Sequence, residues 1–417
     1  MRKINLTYTN TFVVVLFILF LAFVIGLLNN PFGAQRQIFF SGMEDFFADF
    51  FNILRYIADR DPYFNPVNGY GEKAYFPLSY LILYPFSQLD NFNAMSLQET
   101  WNSKIGLMSV FLFTMFSVFL LFFSLNQLRK KYDVTTSPAV FIGLVLSYTF
   151  FITIERGNTI MLATAFVIFF ICYYNSECKN ERVLAIISLA LAVTLKVYPV
   201  IFGFLYFEKK QYREIFLSVV VTLFLVFIPY LFFKRGFANF PQQINNVMLN
   251  SDNYNYTRMY PRFSLAHLVF YGTSIFKFSE KVIFSLSGIA QIINILVSVI
   301  SIILSCLINN KWLKISLLTM AVVFLPTNSG WYCGLYIFPM IVLFFATLKE
   351  RAKLFNTFIL VVFIIFLNPF QIAIKYKDIL FSINYVLGNI ALLSLWLVLL
   401  IISGKQIVLK YFKRRQV

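Results

Sequence analysis

The chain has 417 residues, of which 59% are hydrophobic and only 13% are charged. This composition lies outside the range of soluble globular proteins and is typical of polytopic membrane proteins. The net charge of +17 does not indicate a nucleic-acid-binding protein, because Lys and Arg collect in short segments between apolar stretches, as the positive-inside rule predicts. The four cysteines lack the spacing of a metal site, and their positions imply no disulfide.

The apolar stretches predict about ten spanning helices. The first, TFVVVLFILFLAFVIGLL, is long enough to cross a bilayer and is followed by no small-residue cleavage site, so we interpret it as an uncleaved anchor. Hydropathy places the predicted spans near 10–28, 105–127, 138–154, 159–174, 214–233, 283–308, 313–326, 331–347, 355–368 and 381–402. We therefore predict an all-α membrane bundle and treat residues 1–417 as one domain.

The stretch 183–207, VLAIISLALAVTLKVYPVIFGFLYF, differs from these spans because Lys196 and Pro199 interrupt it. It either crosses the membrane once or enters and returns as a broken re-entrant hairpin. If it returns, all the basic clusters face the cytoplasm, whereas a single crossing would move every later cluster to the other side. These clusters are Arg129-Lys130-Lys131, Lys179/Arg182, Lys209-Lys210/Arg213, Lys311/Lys314, Lys349/Arg351/Lys353 and Lys413-Arg414-Arg415. We predict the hairpin, which leaves 29–104 and 234–282 as long outer segments.

The first outer segment contains EDFFADFFNILRYIADRDPYF, residues 44–64, which is rich in both Phe and carboxylates. At 100° per residue, residues 44–60 predict an amphipathic helix whose polar face carries Asp45, Asp49 and Asn52. Such a helix would lie on the outer membrane surface or against the bundle, with its polar face toward a cavity. A solvated polar face is the alternative, but Asp49 lies among phenylalanines, where an unpaired charge is costly.

Lys196 and the stretch ERGN, residues 155–158, place polar groups at the membrane. A cation in the middle of LAVTLKVYPVIF costs several kcal/mol unless it is paired or hydrated, so we interpret Lys196 as functional, with Tyr198 nearby. Arg156 and Asn158 must lie at the outer boundary, because almost no loop separates the flanking spans. Arg156 either extends to the lipid headgroups or donates to a phosphate.

Two aromatic segments contribute further candidates. AYFPLSYLILYPFSQL, residues 74–89, contains two prolines and predicts a short re-entrant or interfacial element, in which Tyr75 could serve only in packing. In PTNSGWY, Trp331 and Tyr332 either belong to an aromatic belt at the membrane interface or contact a sugar or lipid chain.

The second outer segment contains NSDNYNYTRMYPRFSLAHL, residues 250–268. Arg258 and Arg262 are candidate phosphate ligands, although loop arginines are often merely solvated. The single histidine, His267, is more typical of a structural residue than of a catalytic one.

In chain order, ADFFNILRYIADRDPY, YFPLSYLILYPF, ERGN, LKVYPVIF and PTNSGWYCGLYIFP resemble the GT-C membrane glycosyltransferases that use polyprenyl-phosphate sugars. The closest resemblance is to the bacterial family containing the alpha-1,2-mannosyltransferases of mycobacterial phosphatidylinositol mannoside synthesis. The KVYP stretch is also similar to the first mannosyltransferase of glycosylphosphatidylinositol assembly. The resemblance extends over most of residues 10–347 and implies a GT-C-like bundle.

The resemblance implies that an aspartate of the first outer segment is the catalytic base. By position this is Asp49, with Asp45 as the reserve. Cations at the membrane boundary would bind the donor phosphate, namely Lys196, Arg156 and Arg262. The expected substrate-binding residues are Asn52, Tyr75, Asn158, Tyr198, Trp331 and Tyr332. One displacement with one base predicts inversion at the anomeric carbon.

The implied partners are a polyprenyl-phosphate hexose, with mannose as the family's commonest sugar, a lipid- or glycan-linked acceptor, and membrane lipids. No cofactor is required, although Asp45 with Asp49 could hold a divalent metal. A nucleotide-sugar donor is disfavoured because no Gly-rich loop follows a predicted strand. A polysaccharide polymerase or ligase and a lipid-sugar flippase or transporter remain alternatives, but a transporter would distribute polar residues through many spans.

Overall fold

The computed structural model describes residues 2–31, 33, 35–36, 46–133, 136–253, 262–326, 329–376 and 379–415. The α-helices are α1 Arg2–Asn29, α2 Ala48–Ile57, α3 Pro77–Ser87, α4 Leu97–Asn102, α5 Lys104–Tyr132, α6 Val140–Val145, α7 Tyr148–Arg156, α8 Ile160–Tyr173, α9 Lys179–Leu195, α10 Tyr212–Phe232, α11 Asn239–Asn253, α12 Leu265–Ile275, α13 Glu280–Leu307, α14 Lys311–Phe324, α15 Phe338–Ala346, α16 Lys353–Leu367 and α17 Ile383–Arg415. Short 3₁₀ helices cover Tyr70–Glu72, Phe92–Ala94, Gly236–Ala238 and Leu348–Glu350, and longer ones cover Tyr198–Lys209 and Trp331–Ile337.

In the part of the chain that the structure describes, five helices are long and apolar enough to cross a membrane, namely α1, α5, α10, α13 and α17. Most side chains in the apolar windows of these helices are not buried in the bundle, and they include many exposed Leu, Ile, Val and Phe residues. An apolar surface of this kind is suited to lipid. The chain is therefore a multi-pass membrane protein.

Several of the other predicted spans are shorter helices inside the bundle. Both α8 and α14 have 14 residues, about 21 Å at a rise of about 1.5 Å per residue, whereas the hydrocarbon core is about 30 Å thick. Every residue of α14 after Lys311 is buried, as are 12 of the 14 residues of α8. Hydropathy does not separate these interior helices from lipid-facing spans, because both consist of apolar residues.

The interval 138–154, predicted as one span, is two short helices, so that prediction was wrong. Helix α6 ends at Val145 and α7 begins at Tyr148. The reason is local, because the Ser147 hydroxyl accepts a hydrogen bond from the Phe150 amide at 3.3 Å and so caps a new helix.

The stretch 183–207 folds back on itself, as predicted. Helix α9 stops at Leu195, and Lys196 is extended, with φ −149° and ψ 125°. The following 3₁₀ helix returns along α9, since a Cβ on Gly203 would lie 3.5 Å from Leu189. It ends beside the connection from α8 to α9, where Tyr174 donates a hydrogen bond to Glu208 at 2.9 Å.

Four of the basic clusters, at 129–131, 179–182, 209–213 and 311–314, lie together at the end of the hairpin away from Lys196. Ion pairs there join the hairpin to its neighbours: Lys314 to Glu208 at 2.8 Å, Arg182 to Glu214 at 3.5 Å and Lys131 to Glu181 at 3.8 Å. The Lys311 ammonium lies 4.5 Å from the centroid of the Tyr132 ring. Within the described residues, the chain from Lys196 to Glu208 therefore returns to the end of the bundle at which α9 begins, and the re-entrant topology of 183–207 in the membrane stays a prediction.

The helix predicted over 44–60 is shorter and more buried than expected. It is α2, Ala48–Ile57, and nine of its ten residues are buried, with Asn52 as the exception. It packs against α3, α4 and α7, so it is not a helix lying on the membrane surface. The polar face of α2 can be buried because Asp49 and Arg55 form hydrogen bonds there. Glu44 and Asp45 lie outside the described residues.

The segment after it also departs from a spanning helix. Helix α3 has 11 residues, begins at Pro77 and contains Pro85, which agrees with the predicted short element. Near the other end of the chain, the predicted outer connection 368–378 contributes strand β1, Ala373–Tyr376, which pairs antiparallel with β2, Ile379–Ser382. The sequence reasoning did not predict this hairpin.

Candidate active site

The ERGN stretch forms a tight turn between α7 and α8. Gly157 follows Arg156 in the left-handed conformation, with φ +63°, which glycine adopts without strain. A Cβ on Gly157 would lie only 2.8 Å from the Cβ of Phe50 in α2. Asn158 then accepts a hydrogen bond from the Ile160 amide at 2.9 Å, which starts α8. The turn can therefore press directly against α2.

A backbone hydrogen bond fixes the start of α2 to the same turn. The Phe47 amide donates to the Glu155 carbonyl at 2.7 Å. The backbone of Phe47 is left-handed, with φ +51°, and α2 begins at the next residue, Ala48. Asp49 consequently lies in the first turn of α2, facing the two polar residues of ERGN.

The Asp49 carboxylate accepts four hydrogen bonds from three side chains. Oδ1 accepts from the Arg156 Nη2 at 2.7 Å and from the Tyr75 hydroxyl at 2.8 Å. Oδ2 accepts from the Asn158 Nδ2 at 2.7 Å and from the Arg156 Nε at 3.3 Å. A carboxylate offers about four lone-pair positions, so this group is fully hydrogen-bonded.

These contacts keep Asp49 ionised. Burial raises its pKa, but the charge of Arg156 and the hydrogen bonds from Arg156 and Asn158 lower it further, with a smaller contribution from Lys196. The net pKa is about 2, below the ordinary value of 3.8. The side chains of Asp49 and Arg156 are 11% and 21% exposed, which makes this a largely buried ion pair.

Lys196 provides a second cation beside this pair. Its ammonium lies 5.7 Å from the ring centroid of Tyr75 and 5.9 Å from that of Tyr332. The residue is partly exposed, and in the described part of the chain its ammonium has no hydrogen bond or ion pair. Unlike Arg156, Lys196 is thus a charge available to a ligand.

The other sequence candidates lie at the edge of this cluster or away from it. Asn52 accepts hydrogen bonds from Arg55 at 3.1 Å and from Asn68 at 3.4 Å. Tyr198 is half-buried and lies edge-on to Tyr336, with ring centroids 6.2 Å apart. Neither contacts Asp49 directly in the described structure.

Arg262 and Trp331 are buried. Arg262 pairs its backbone with Gly330 in an isolated β-bridge, and its charge acts on Tyr332. Trp331 stacks on Phe263, with centroids 4.4 Å apart, and its ring packs in the core. Arg258 lies outside the described residues.

The sequence reasoning missed a small network beside Asn52. Asn68 donates to the Tyr56 hydroxyl at 2.8 Å. The ammonium of the buried Lys73 donates to the carbonyl of Asn68 at 3.1 Å and lies 5.1 Å from the centroid of the Tyr56 ring. The dipeptide Asn68-Gly69 does signal a turn, but no local pattern indicates that this turn meets the polar face of α2.

Comparison with protein families matches residues 74–327, more than half of the chain, to the family described as Glycosyltransferase family 87. The chain belongs to Glycosyltransferase family 87. This family consists of GT-C membrane glycosyltransferases that use polyprenyl-phosphate sugars, so the protein is a glycosyltransferase and the GT-C resemblance is confirmed. No match was found among curated proteins or among solved structures.

The family 87 match includes part of the cluster. Tyr75, Arg156, Asn158 and Lys196 all lie within the matched residues, whereas Asp49 precedes them. The family therefore supports the reaction class, and the assignment of Asp49 depends on the geometry that surrounds it.

Proposed function

We propose that this family 87 enzyme transfers a hexose, with mannose as the expected sugar, from a polyprenyl phosphate to a lipid- or glycan-linked acceptor on the outer face of the cell membrane. The observation that carries the proposal is the ionised Asp49 carboxylate beside the unpaired Lys196 ammonium. Transfer from a phosphosugar needs a base for the acceptor hydroxyl and a cation for the leaving phosphate, and this pair supplies both.

In the proposed reaction, Lys196 binds the donor phosphate. The phosphate leaves with the electron pair of the anomeric C–O bond and carries its own negative charge, so it needs electrostatic stabilisation and no acid. Arg156 orients Asp49 through two hydrogen bonds. A direct contact between the phosphate and Arg156 or Arg262 stays a prediction.

Asp49 acts as the base in this proposal. The acceptor hydroxyl forms the new bond to the anomeric carbon from the face opposite the phosphate and gives its proton to the carboxylate, which inverts the configuration. A base with a pKa of about 2 can take this proton because the hydroxyl becomes acidic as the bond forms. Proton transfer is therefore late in the reaction.

The four hydrogen bonds to the Asp49 carboxylate restrict how the acceptor can bind. The acceptor hydroxyl must displace one of these four hydrogen bonds to reach the carboxylate. Arg156 and Asn158 belong to the tight turn at Gly157, whereas Tyr75 lies in the non-helical residues between the 3₁₀ helix Tyr70–Glu72 and α3. Tyr75 is also a neutral donor, which makes it the least costly to displace. We therefore assign the place of the Tyr75 hydroxyl to the acceptor hydroxyl.

The distribution of charge supports the proposed side of the membrane. Asp49 and Lys196 lie at one end of the hairpin, and the basic clusters at 129–131, 179–182, 209–213 and 311–314 lie at the other. The positive-inside rule assigns the basic end to the cytoplasm. The proposed reaction then takes place on the extracytoplasmic side, where nucleotide sugars are absent and lipid-linked sugars are the suitable donors.

Inside-out and right-side-out membrane vesicles given a radiolabelled polyprenyl-phosphate mannose test this function. We expect one sugar to be added to an acceptor in right-side-out vesicles, and no transfer by Asp49→Asn. Asp252→Asn, which changes an exposed carboxylate, is the matched control. Growth of a chain would instead indicate the polymerase, and movement of the donor across the membrane without transfer would indicate the flippase.

A further inference from the structure

Helix α11, Asn239–Asn253, is amphipathic, but it turns its polar face to the protein and its apolar face outward. One row of amide side chains faces the protein, and several large apolar side chains face outward. The inward residues are Asn239, Gln243 and Asn246, which are buried, and Asn250, which is partly buried. The outward residues are Phe240, Ile244, Val247 and Met248, which are 37–63% exposed.

The inward face is held by specific hydrogen bonds. Gln243 accepts from the Tyr230 hydroxyl of α10. Asn246 donates to the Tyr63 carbonyl at 3.2 Å, and Asn250 donates to the Gly71 carbonyl at 2.8 Å. These two carbonyls belong to the loop that leads to Tyr75. The register of α11 is therefore fixed by its polar face, and its apolar face cannot turn inward without breaking these bonds.

The exposed face of α11 continues the lipid-facing surface of α10. Phe240 packs on Phe227 of α10, with ring centroids 5.6 Å apart, and Phe237 also reaches Phe227, at 6.5 Å. Helix α10 presents Phe224 and Leu231 outward, 61% and 70% exposed, and it is long and apolar enough to span a membrane. One continuous apolar surface thus extends from the span onto α11.

Basic residues lie where the chain passes from α10 to α11. Lys234 and Arg235 lie in the short connection between α10 and α11. The Arg60 guanidinium lies 4.4 Å from the ring centroid of Phe232, the last residue of α10. Basic residues at the end of a span are typical of the headgroup region.

We propose that α11 lies in the membrane interface, with Phe240, Ile244, Val247 and Met248 inserted among the lipid acyl chains of the leaflet on the Asp49 side. Its polar face then ties the loop from Tyr63 to Gly71 to the depth of the headgroups. A polyprenyl-linked phosphate lies at that depth, so α11 would hold this loop at the level of the donor phosphate. This role of α11 rests on the proposed function. The lipid contact itself does not depend on it.

Ile244 and Asn245 provide a matched pair for the test. Both are exposed, and adjacent residues of a helix point 100° apart, so the proposal places Ile244 toward lipid and Asn245 away from the face formed by Phe240, Ile244 and Val247. Single cysteines would be introduced by Ile244→Cys or Asn245→Cys in the full chain carrying Cys178→Ser and Cys306→Ser. Cys172 and Cys333 are buried and stay unlabelled. Each variant is labelled with an environment-sensitive fluorophore and reconstituted in phosphatidylcholine vesicles.

We expect the label at residue 244 to lose most of its emission to acyl-chain nitroxide lipids and little to aqueous iodide, and the label at 245 to show the reverse. Phe224→Cys on α10 serves as the lipid-facing reference, and Val247→Cys repeats the measurement on the same face of α11. Quenching of residue 244 by iodide would overturn the proposal. Protection of residue 244 from both quenchers would also overturn it, by indicating contact with protein such as a second copy. Neither result depends on transferase activity.

Discussion

The carboxylate of Asp49 and the guanidinium of Arg156 lie 2.7 Å apart, although 107 residues separate them in the chain. The pair joins the first turn of α2 to the last residue of α7. Because both side chains are largely buried, removing one partner leaves the other charge uncompensated, which costs about 3–5 kcal/mol. Loss of activity in a single variant could therefore report unfolding as well as chemistry.

A double substitution separates these two effects. Asp49→Asn should abolish transfer and lower the thermal unfolding midpoint, because Arg156 is left charged and unpaired. Asp49→Asn combined with Arg156→Gln removes both charges, and we expect it to recover most of the midpoint but no transfer. The measurements are the unfolding midpoint in detergent and sugar transfer in vesicles. Recovery of transfer by the double variant would exclude Asp49 as the base.

Tyr75→Phe tests whether the tyrosine hydroxyl occupies the place of the acceptor hydroxyl. We expect kcat to stay close to wild type and the acceptor KM to fall by roughly ten- to a hundredfold, since a hydrogen bond to a charged group is worth about 1.5–3 kcal/mol. Tyr80→Phe is the control, because the Tyr80 hydroxyl makes no contact with Asp49. A loss of kcat as large as that of Asp49→Asn would show instead that Tyr75 takes part in the reaction or holds the base in place.

Gly157→Ala should disrupt the site through the turn. The left-handed backbone costs a non-glycine residue about 1–2 kcal/mol, and the new methyl group would also meet Phe50 at 2.8 Å. Gly236→Ala is a matched control, because Gly236 has φ +53° but no atom within 4 Å of a Cβ. We expect both variants to lose stability and only Gly157→Ala to lose most of its transfer. Equal transfer by the two variants would contradict a role for the turn in placing Arg156 and Asn158.

Lys196→Met should impair use of the donor. Losing a charge-assisted contact of about 1.5–3 kcal/mol predicts a rise in donor KM of roughly ten- to a hundredfold. Lys281→Met, which changes an exposed lysine in the first turn of α13, should leave it unchanged. The measurement is initial rate against donor concentration at saturating acceptor. An unaltered donor KM in Lys196→Met would return this residue to a structural role.

The pH dependence follows from the depressed pKa of Asp49. Its folded pKa of about 2 lies below the ordinary 3.8, so the stability it contributes is present above about pH 4 and is lost as pH falls through about 2. Protonation of Asp49 should therefore cause no decline of kcat/KM between pH 8 and pH 4. Arg156→Gln removes the main charge that lowers this pKa, so an acid limb should move to higher pH in its pH profile. An identical pH profile in the two enzymes would disprove this coupling.

The sequence predicted those features that depend on local chemistry. A lysine and a proline within one apolar stretch indicated the break at Lys196, since neither continues a buried helix. The grouping of basic residues indicated which segment ends lie together, because the positive-inside rule can be applied to each loop from its own sequence. The identity of Asp49, Arg156 and Asn158 as polar residues at one boundary was likewise predictable.

Other features were decided only by tertiary packing. Nothing within a few residues of Arg156 shows that its guanidinium pairs with Asp49, because the partner arrives through the packing of α2 against α7. The same holds for Trp331, which packs on Phe263 in the core, and for α11, whose apolar face points outward because its amides bond to the loop around Tyr63. Hydropathy and periodicity describe one helix at a time, whereas these contacts depend on which helices meet.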